Sequence, residues 1–204
     1  MYQPIQCRLA THIGVRISLR RYWDDCPVHG YHDARIHVKD VLIPADQLMV
    51  PDGYGGMCYD YLKYHEDYDH SLYPKQCDHC KGAVPDSAPF QVFTEHLYDT
   101  PSGSLEPGCL YWAPWLPEDF IWENHKGPHL YAVCPDGGHW NIDGRASNCT
   151  MHNERTHRCW VRHGEPPNIT VDKNGHTCQA GGGSIISNGN GYHGHLQNGW
   201  FTAG

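Results

Sequence analysis

The chain has 204 residues, 39% of them hydrophobic, with 22 Gly, 15 Pro and a formal net charge of −8. This length supports one generous domain or two small lobes, and the Gly and Pro content excludes a chain built of long helices. The acidic balance speaks against wrapping duplex nucleic acid, which needs a basic footprint, and no run reaches the eighteen or so apolar residues of a membrane helix.

Residues 1–21 carry arginines inside their apolar stretch, unlike an export signal, so the expected setting is a reducing compartment. Within them, Ile13, Val15, Ile17 and Leu19 alternate with Arg16, Ser18 and Arg20, the pattern of a half-buried strand. Residues 33–43 predict a second strand, with Ala34, Ile36 and Val38 on one face and Arg35, His37 and Lys39 on the other. Between them lies Cys26-Pro-Val-His29. Residues 52–56 read as a turn, and 57–64 fit neither helix nor strand period. Residues 51–130 carry the acidic excess, net −9, which reads as a solvated face. Cys77-Asp-His-Cys80 follows, and then the best helix signal of the chain over 87–98, with Ser87 as cap and Phe90, Phe93 and Leu97 at helical spacing. A lobe boundary is expected near 101, separating an N-terminal metal-binding lobe (1–100) from a C-terminal lobe (101–204). The latter predicts hairpins: 130–134 with 139–142 around Pro-Asp-Gly-Gly, and 169–172 with 176–178 around Lys173-Asn-Gly175. Glycine-rich turns at 181–184, 188–191 and 197–199 precede Trp200 and Phe201.

Ten cysteines in a reducing setting point to metal thiolates and buried thiols. A pair of soft donors two residues apart lets one turn aim both at one ion, and two such pairs complete a tetrahedral zinc site. Cys26, His29, Cys77 and Cys80 form such a set, with His79 in reserve. The competing readings are two unrelated turns with free thiols, or a Cys77–Cys80 redox pair. The redox motif needs a strand before it and a helix after it, and the flanks here read as turns. A second cluster lies among Cys149, His152, His157, Cys159, His163, His176 and Cys178. Several four-donor sets are open there, and Cys149, His157, Cys159 and Cys178 are favoured; Cys149 and Cys159 could instead be small buried hydrophobes. Cys7, Cys58, Cys109 and Cys134 lack ligand-like neighbours and read as core or surface thiols. A metal staple suits a core whose apolar mass is aromatic (7 Trp, 13 Tyr, 4 Phe) and modest.

Catalytic signatures are weak. The histidines of His65-Glu-Asp-Tyr-Asp-His70 are five apart, on opposite faces of any helix. The deaminase spacing before Cys77 is wrong. Gly181-Gly-Gly-Ser184 lacks the following Lys of a phosphate loop, and no nucleophile-elbow motif is present. A zinc hydrolase would have to use the second cluster, with Asp143, Glu154 or Glu165 as base. Arg155, Arg158 and Arg162 around Trp160 offer a small single-strand nucleic-acid footprint.

Three strings go together: Trp23-Asp-Asp-Cys-Pro-Val-His-Gly-Tyr-His-Asp-Ala-Arg35; Arg145-Ala-Ser-Asn-Cys-Thr150; and His157-Arg-Cys-Trp-Val-Arg-His-Gly-Glu-Pro-Pro167, continuing through Val171–Cys178 to Gly183-Ser184 and Tyr192-His-Gly194. They resemble a group of Cys/His-rich proteins encoded by tailed phages and prophages, for which no activity is established. The likeness covers roughly residues 20–40 and 105–200. It implies a phage-encoded protein acting in the host cytoplasm or in the virion. By this likeness Cys134 stands where a non-thiol is expected and stays outside the metal set. The expectation is a β-rich α+β protein of short strands and hairpins with few helices, stapled by one Zn2+ and a second at the C-terminal cluster. It would act through protein partners, other phage proteins among them, rather than nucleic acid or membrane.

Overall fold

A computed structural model describes residues 2–43, 49–51, 57–59, 67–113, 129–146, 148–151, 154, 157–174, 178–180, 185–186 and 191–204. In chain order the strands are β1 (Ile5–Gln6), β2 (Arg8–Leu9), β3 (His12–Asp24), β4 (Tyr31–Leu42), β5 (Met49–Pro51), β6 (Met57–Tyr59), β7 (Phe90–Tyr98) and β8 (Cys109–Trp112). They continue with β9 (Leu130–Val133), β10 (His139–Asn141), β11 (Val161–His163), β12 (Thr170–Asp172), β13 (Ile185–Ile186), β14 (His193–Gln197) and β15 (Trp200–Ala203). Among the described residues the only helical segment is a 3-10 turn at His70–Leu72. The protein is β-rich, as its turn chemistry dictates.

Two compact units divide the chain. The larger comprises Met1–His12, Pro51–Cys58 and Tyr98–Gly204; the smaller comprises Ile13–Val50 and Tyr59–Leu97. The division between the halves falls after Leu97 rather than at 101, and the first twelve residues belong with the C-terminal half. The reason is strand pairing: β1 runs antiparallel to β15 and β2 parallel to β8.

In the larger unit one sheet has the order β1-β15-β14-β12-β11, with β13 also on β14, and a second has the order β10-β9-β8-β2. Side chains from both fill one core: Val171, Leu196 and Phe201 from the first, Leu110, Leu130, Ala132 and Trp140 from the second, with Tyr192 between them. Each fully buried aliphatic side chain of this kind contributes roughly 2 kcal/mol relative to exposure. The predicted hairpin around Pro-Asp-Gly-Gly is β9–β10, closed by Cys134 N–H to Gly138 O at 2.8 Å. Asn198 and Gly199 both take positive φ (49° and 75°) in the β14–β15 turn, the two-residue geometry whose twist suits a hairpin. β12 pairs with β11 and β14; its expected hairpin partner falls on 175–177, which lie outside the described set, as do 52–56, 60–64, 181–184 and 188–190 of the expected turn and undecided segments.

In the smaller unit the sheet order is β4-β3-β7. β3 is central, so Val15, Ile17 and Leu19 are fully buried and even Ser18 and Arg21 are covered. The β3–β4 ladder has a bulge: Ile17 faces Lys39 but Ser18 faces His37, leaving Val38 as the extra residue. Ahead of the bulge the alternation holds, with Ile36 opposite Leu19 and Ala34 opposite Arg21, but β4 is an edge strand and its burial is uneven. Ala34 is buried, whereas Ile36 and Val38 are exposed.

The predicted helix at 87–98 is the strand β7, a correction with a clear cause. Val92, Phe93 and Thr94 favour extended backbone, and pairing with β3 supplies ladder bonds that a helix cannot. In strand geometry Phe93 lies under the guanidinium groups of Arg20 (5.1 Å) and Arg35 (4.2 Å), and Glu95 pairs with Arg35 at 3.1 Å. Of the three apolar residues at helix-like spacing, Phe93 is placed by these contacts and Leu97 by burial.

Gly194 marks the tightest approach in the larger unit: a Cβ there would lie 2.1 Å from Thr202 O and 2.2 Å from the Tyr192 hydroxyl. Gly194→Ala is expected to cost about 3 kcal/mol through overpacking, read as a lowered midpoint in denaturant unfolding with unchanged slope.

Candidate metal centres

Each unit contains one group of three thiols and an imidazole, built from loops at strand ends. In the smaller unit β3 ends at Asp24, and Asp25 turns the chain with φ of 69°. The turn after Cys26 closes through Gly30 N–H to Cys26 O at 2.9 Å, and β4 begins at Tyr31. Strand alternation then sends Tyr31 outward and His32 toward Cys26. His32 faces Trp23 across the ladder, and the two rings stack at 4.4 Å and 8°, which fixes the imidazole plane.

The other two thiols come from a miniature hairpin. Gln76 bridges Ala83, Cys77 N–H donates to Gly82 O at 2.9 Å, and Lys81 takes φ of 59°. Backbone N–H groups aim at the sulfurs: those of His79 and Cys80 at Cys77 Sγ, and that of Gly82 at Cys80 Sγ, 3.4 Å away. The turn is tied to the outer edge of β4 by Asp78 N–H to Asp33 O (2.8 Å) and Arg35 N–H to the Asp78 carboxylate (2.9 Å). These two bonds bring Cys77 to His32. The donors of Cys26, His32, Cys77 and Cys80 all lie within 4.8 Å of one another, with His32 Nδ1 3.3 Å from Cys80 Sγ.

His29, the histidine expected from spacing, is not one of the four. Its ring stacks on His79 at 4.3 Å and meets Tyr31 edge-on at 5.8 Å. Because the turn closes at Gly30, its side chain is left exposed, and the donor role passes to His32.

The second group, in the larger unit, consists of Cys149, His157, Cys159 and Cys178, the set favoured from sequence. Their donors also fall within 4.8 Å, and all four residues are buried. Sγ of Cys159 lies 3.8 Å from Sγ of Cys178 and 3.7 Å from Nε2 of His157. A tetrahedron with metal–sulfur bonds of about 2.3 Å has S···S edges of about 3.8 Å, whereas a disulfide requires about 2.05 Å. Two cations organise the surrounding loops. The Arg145 guanidinium donates to the carbonyls of Met151 (2.9 Å), His157 (3.2 Å) and Glu154. The Lys173 ammonium donates to the carbonyls of Cys159 and Ala180, each at 2.6 Å, and to Cys178 Sγ at 3.3 Å. Neither cation was given a role from sequence, although both sit within the strings quoted above. Of the spare histidines, His163 pairs with Asp172 at 3.0 Å, and His152 and His176 lie outside the described residues.

The electrostatics set Cys77 and Cys178 apart from the core thiols. Burial pushes Cys7 and Cys134 up to about 12, so both are protonated core thiols. At Cys77 burial also raises the pKa, but the N–H groups of Cys80 and His79, the His32 ring and the Asp33 backbone outweigh it and bring the thiol down to about 6. At Cys178 burial is likewise outweighed, by the Lys173 ammonium, the Ala180 backbone and the Cys159 thiol. Its neighbour Cys159 is pushed up to about 12 by burial and by the adjacent sulfurs. Three crowded sulfurs cannot all ionise without a cation among them. Each group could therefore hold a metal ion, and neither is an ordinary cluster of core cysteines.

Comparison with protein families, with curated proteins and with solved structures found no match to this chain.

Two predictions follow from this geometry. His32→Ala should release one equivalent of metal from purified protein while His29→Ala retains it; the reverse result would restore the donor expected from spacing. Lys173→Met should leave the fold intact by circular dichroism but weaken metal retention at the second centre roughly 10- to 100-fold against a competing chelator, as loss of an outer-shell partner does.

Proposed function

We propose that the protein is a zinc-stapled binding protein of a tailed phage or prophage, acting through protein contacts in the host cytoplasm or in the particle, and not a catalyst. One observation carries the reading: each metal group has four protein donors, three thiols and one imidazole, within 4.8 Å. Four protein donors close a tetrahedral zinc and leave no position for water or substrate, the arrangement of structural sites. Soft sulfur donors with one imidazole favour Zn2+ among abundant divalent ions.

The phage assignment is supported by the three strings and their resemblance. Action through protein contacts is supported by the smaller unit's exposed apolar side chains, Tyr22, Val28, Tyr31, Ile36, Val38 and Leu42, of which the tyrosines are residues that interfaces favour. The hydrolase alternative loses one of its three candidate bases. Asp143 is 2% exposed, and its carboxylate is taken by Leu130 N–H, Arg158 and Arg162. The nucleic-acid alternative loses its aromatic platform, because Trp160 packs edge-to-face on Trp140 at 5.4 Å.

Cobalt substitution tests this directly. Co(II) protein should show the intense visible bands of tetrahedral thiolate sites, unchanged on adding acetohydroxamate, a chelating ligand for open metal positions. A spectral change that disappears in Cys159→Ser would reveal an open second centre and revive the hydrolase.

A further inference from the structure

We propose that Arg158 and Arg162 form a binding site for a small oxyanion, a carboxylate or phosphoryl group, on the larger unit beside the second metal centre. The argument begins with Asp143. This buried carboxylate accepts Leu130 N–H at 2.8 Å, which anchors it to the main chain, and receives one Nη1 from each arginine at 3.1 Å. Among the described residues two guanidinium groups thus share a single carboxylate, one unit of positive charge more than it balances. An ordinary surface ion pair is one-to-one, exposed and worth little. Here the anion is buried and the two cations above it keep side-chain exposures of 38% and 24%.

Each guanidinium has five N–H donors in a planar fork. Only one from each is engaged by an acceptor among the described residues, so donors remain for a ligand on the solvent side. Their orientation is fixed in advance. Arg162 stands on β11 with its guanidinium 5.2 Å from the centre of the Trp112 ring. Arg158 lies between two metal donors, His157 and Cys159, and Cys159 N–H is bonded to Gly144 O at 3.3 Å, directly after Asp143 in sequence. The metal centre therefore immobilises the backbone from which Arg158 projects. A pair of forks held in this way suits a ligand with two or more oxygens. A polynucleotide is disfavoured because residues 131–204 have no net charge and the Trp160 indole is packed against the core.

The site rests on the carboxylate–guanidinium geometry and not on the identity of the metal, so this inference and the zinc reading fail separately. The test is calorimetric titration of the full chain with inorganic phosphate and, separately, with malonate. Saturable binding of at least one is expected, and the tighter of the two identifies the group. Arg158→Gln and Arg162→Gln should each weaken it about tenfold or more, with metal content unchanged, while Arg16→Gln in the smaller unit should bind as wild type. Absence of saturable binding, or binding indifferent to both substitutions, would overturn the proposal. So would a single-stranded oligonucleotide that binds more tightly than either anion and is lost in the same variants.

Discussion

Three sulfurs and one imidazole brought within 4.8 Å is the arrangement on which each unit's irregular segments depend. In the smaller unit it joins the β3–β4 turn to a loop more than forty residues later; in the larger it joins Cys149, His157 with Cys159, and Cys178, none of which lies in a strand. Little apolar surface is available there to do the same work. The second cluster's own core is small, made of Cys149, Cys159, Cys178 and Ala180 with Ala146, Met151 and Trp160 against it. Ion binding in such a place is folding free energy, because the unfolded chain does not preform the site.

The two centres solve the problem of crowded thiolates differently. In the smaller unit the compensation comes from backbone N–H groups, since a tight turn points the amides of His79, Cys80 and Gly82 at sulfur. In the larger unit the backbone at Ala146 and Ala180 also reaches sulfur, and two cationic side chains are added that collect loop carbonyls. Arg145 gathers the carbonyls of Met151, Glu154 and His157, and Lys173 bridges Cys159 to Ala180 while touching Cys178. A cation at that position offsets the surplus negative charge of three thiolates on a divalent ion. The same neighbourhood fixes Arg158 over Asp143, so the staple and the surplus charge beside it form one continuous construction.

The β-rich architecture was legible from turn chemistry: Pro-Asp-Gly-Gly places the β9–β10 hairpin without reference to the rest of the chain, and the expected turn at 197–199 falls between β14 and β15. The alternation over 13–20 gave β3 for the same reason. What failed was local pattern overridden by pairing. β7 carries apolar residues at helical spacing, yet its β-branched centre and the open edge of β3 make it a strand. Similarly, Ile36 shares the face of Ala34 and lies opposite buried Leu19, yet it is exposed on the edge strand β4, and a bulge invisible in the sequence falls at Val38. Thiols were easier to place than imidazoles. Cys26, Cys77 and Cys80 follow from spacing, but the choice of His32 over His29 depends on where Gly30 closes the turn and on the Trp23 ring across the ladder. The second donor set was one of several open in sequence, and Lys173 and Arg145 act through contacts with carbonyls that spacing does not encode.

The central claim is that both thiol groups are metal centres and not reduced core cysteines. Its most direct measurement is elemental analysis of protein purified without chelator, beside Cys77→Ser and Cys159→Ser. The account predicts two zinc atoms per chain, with one lost in each variant together with a fall in melting temperature. Metal-free wild-type protein with an unaltered fold, or variants that melt like wild type with both metals retained, would contradict it.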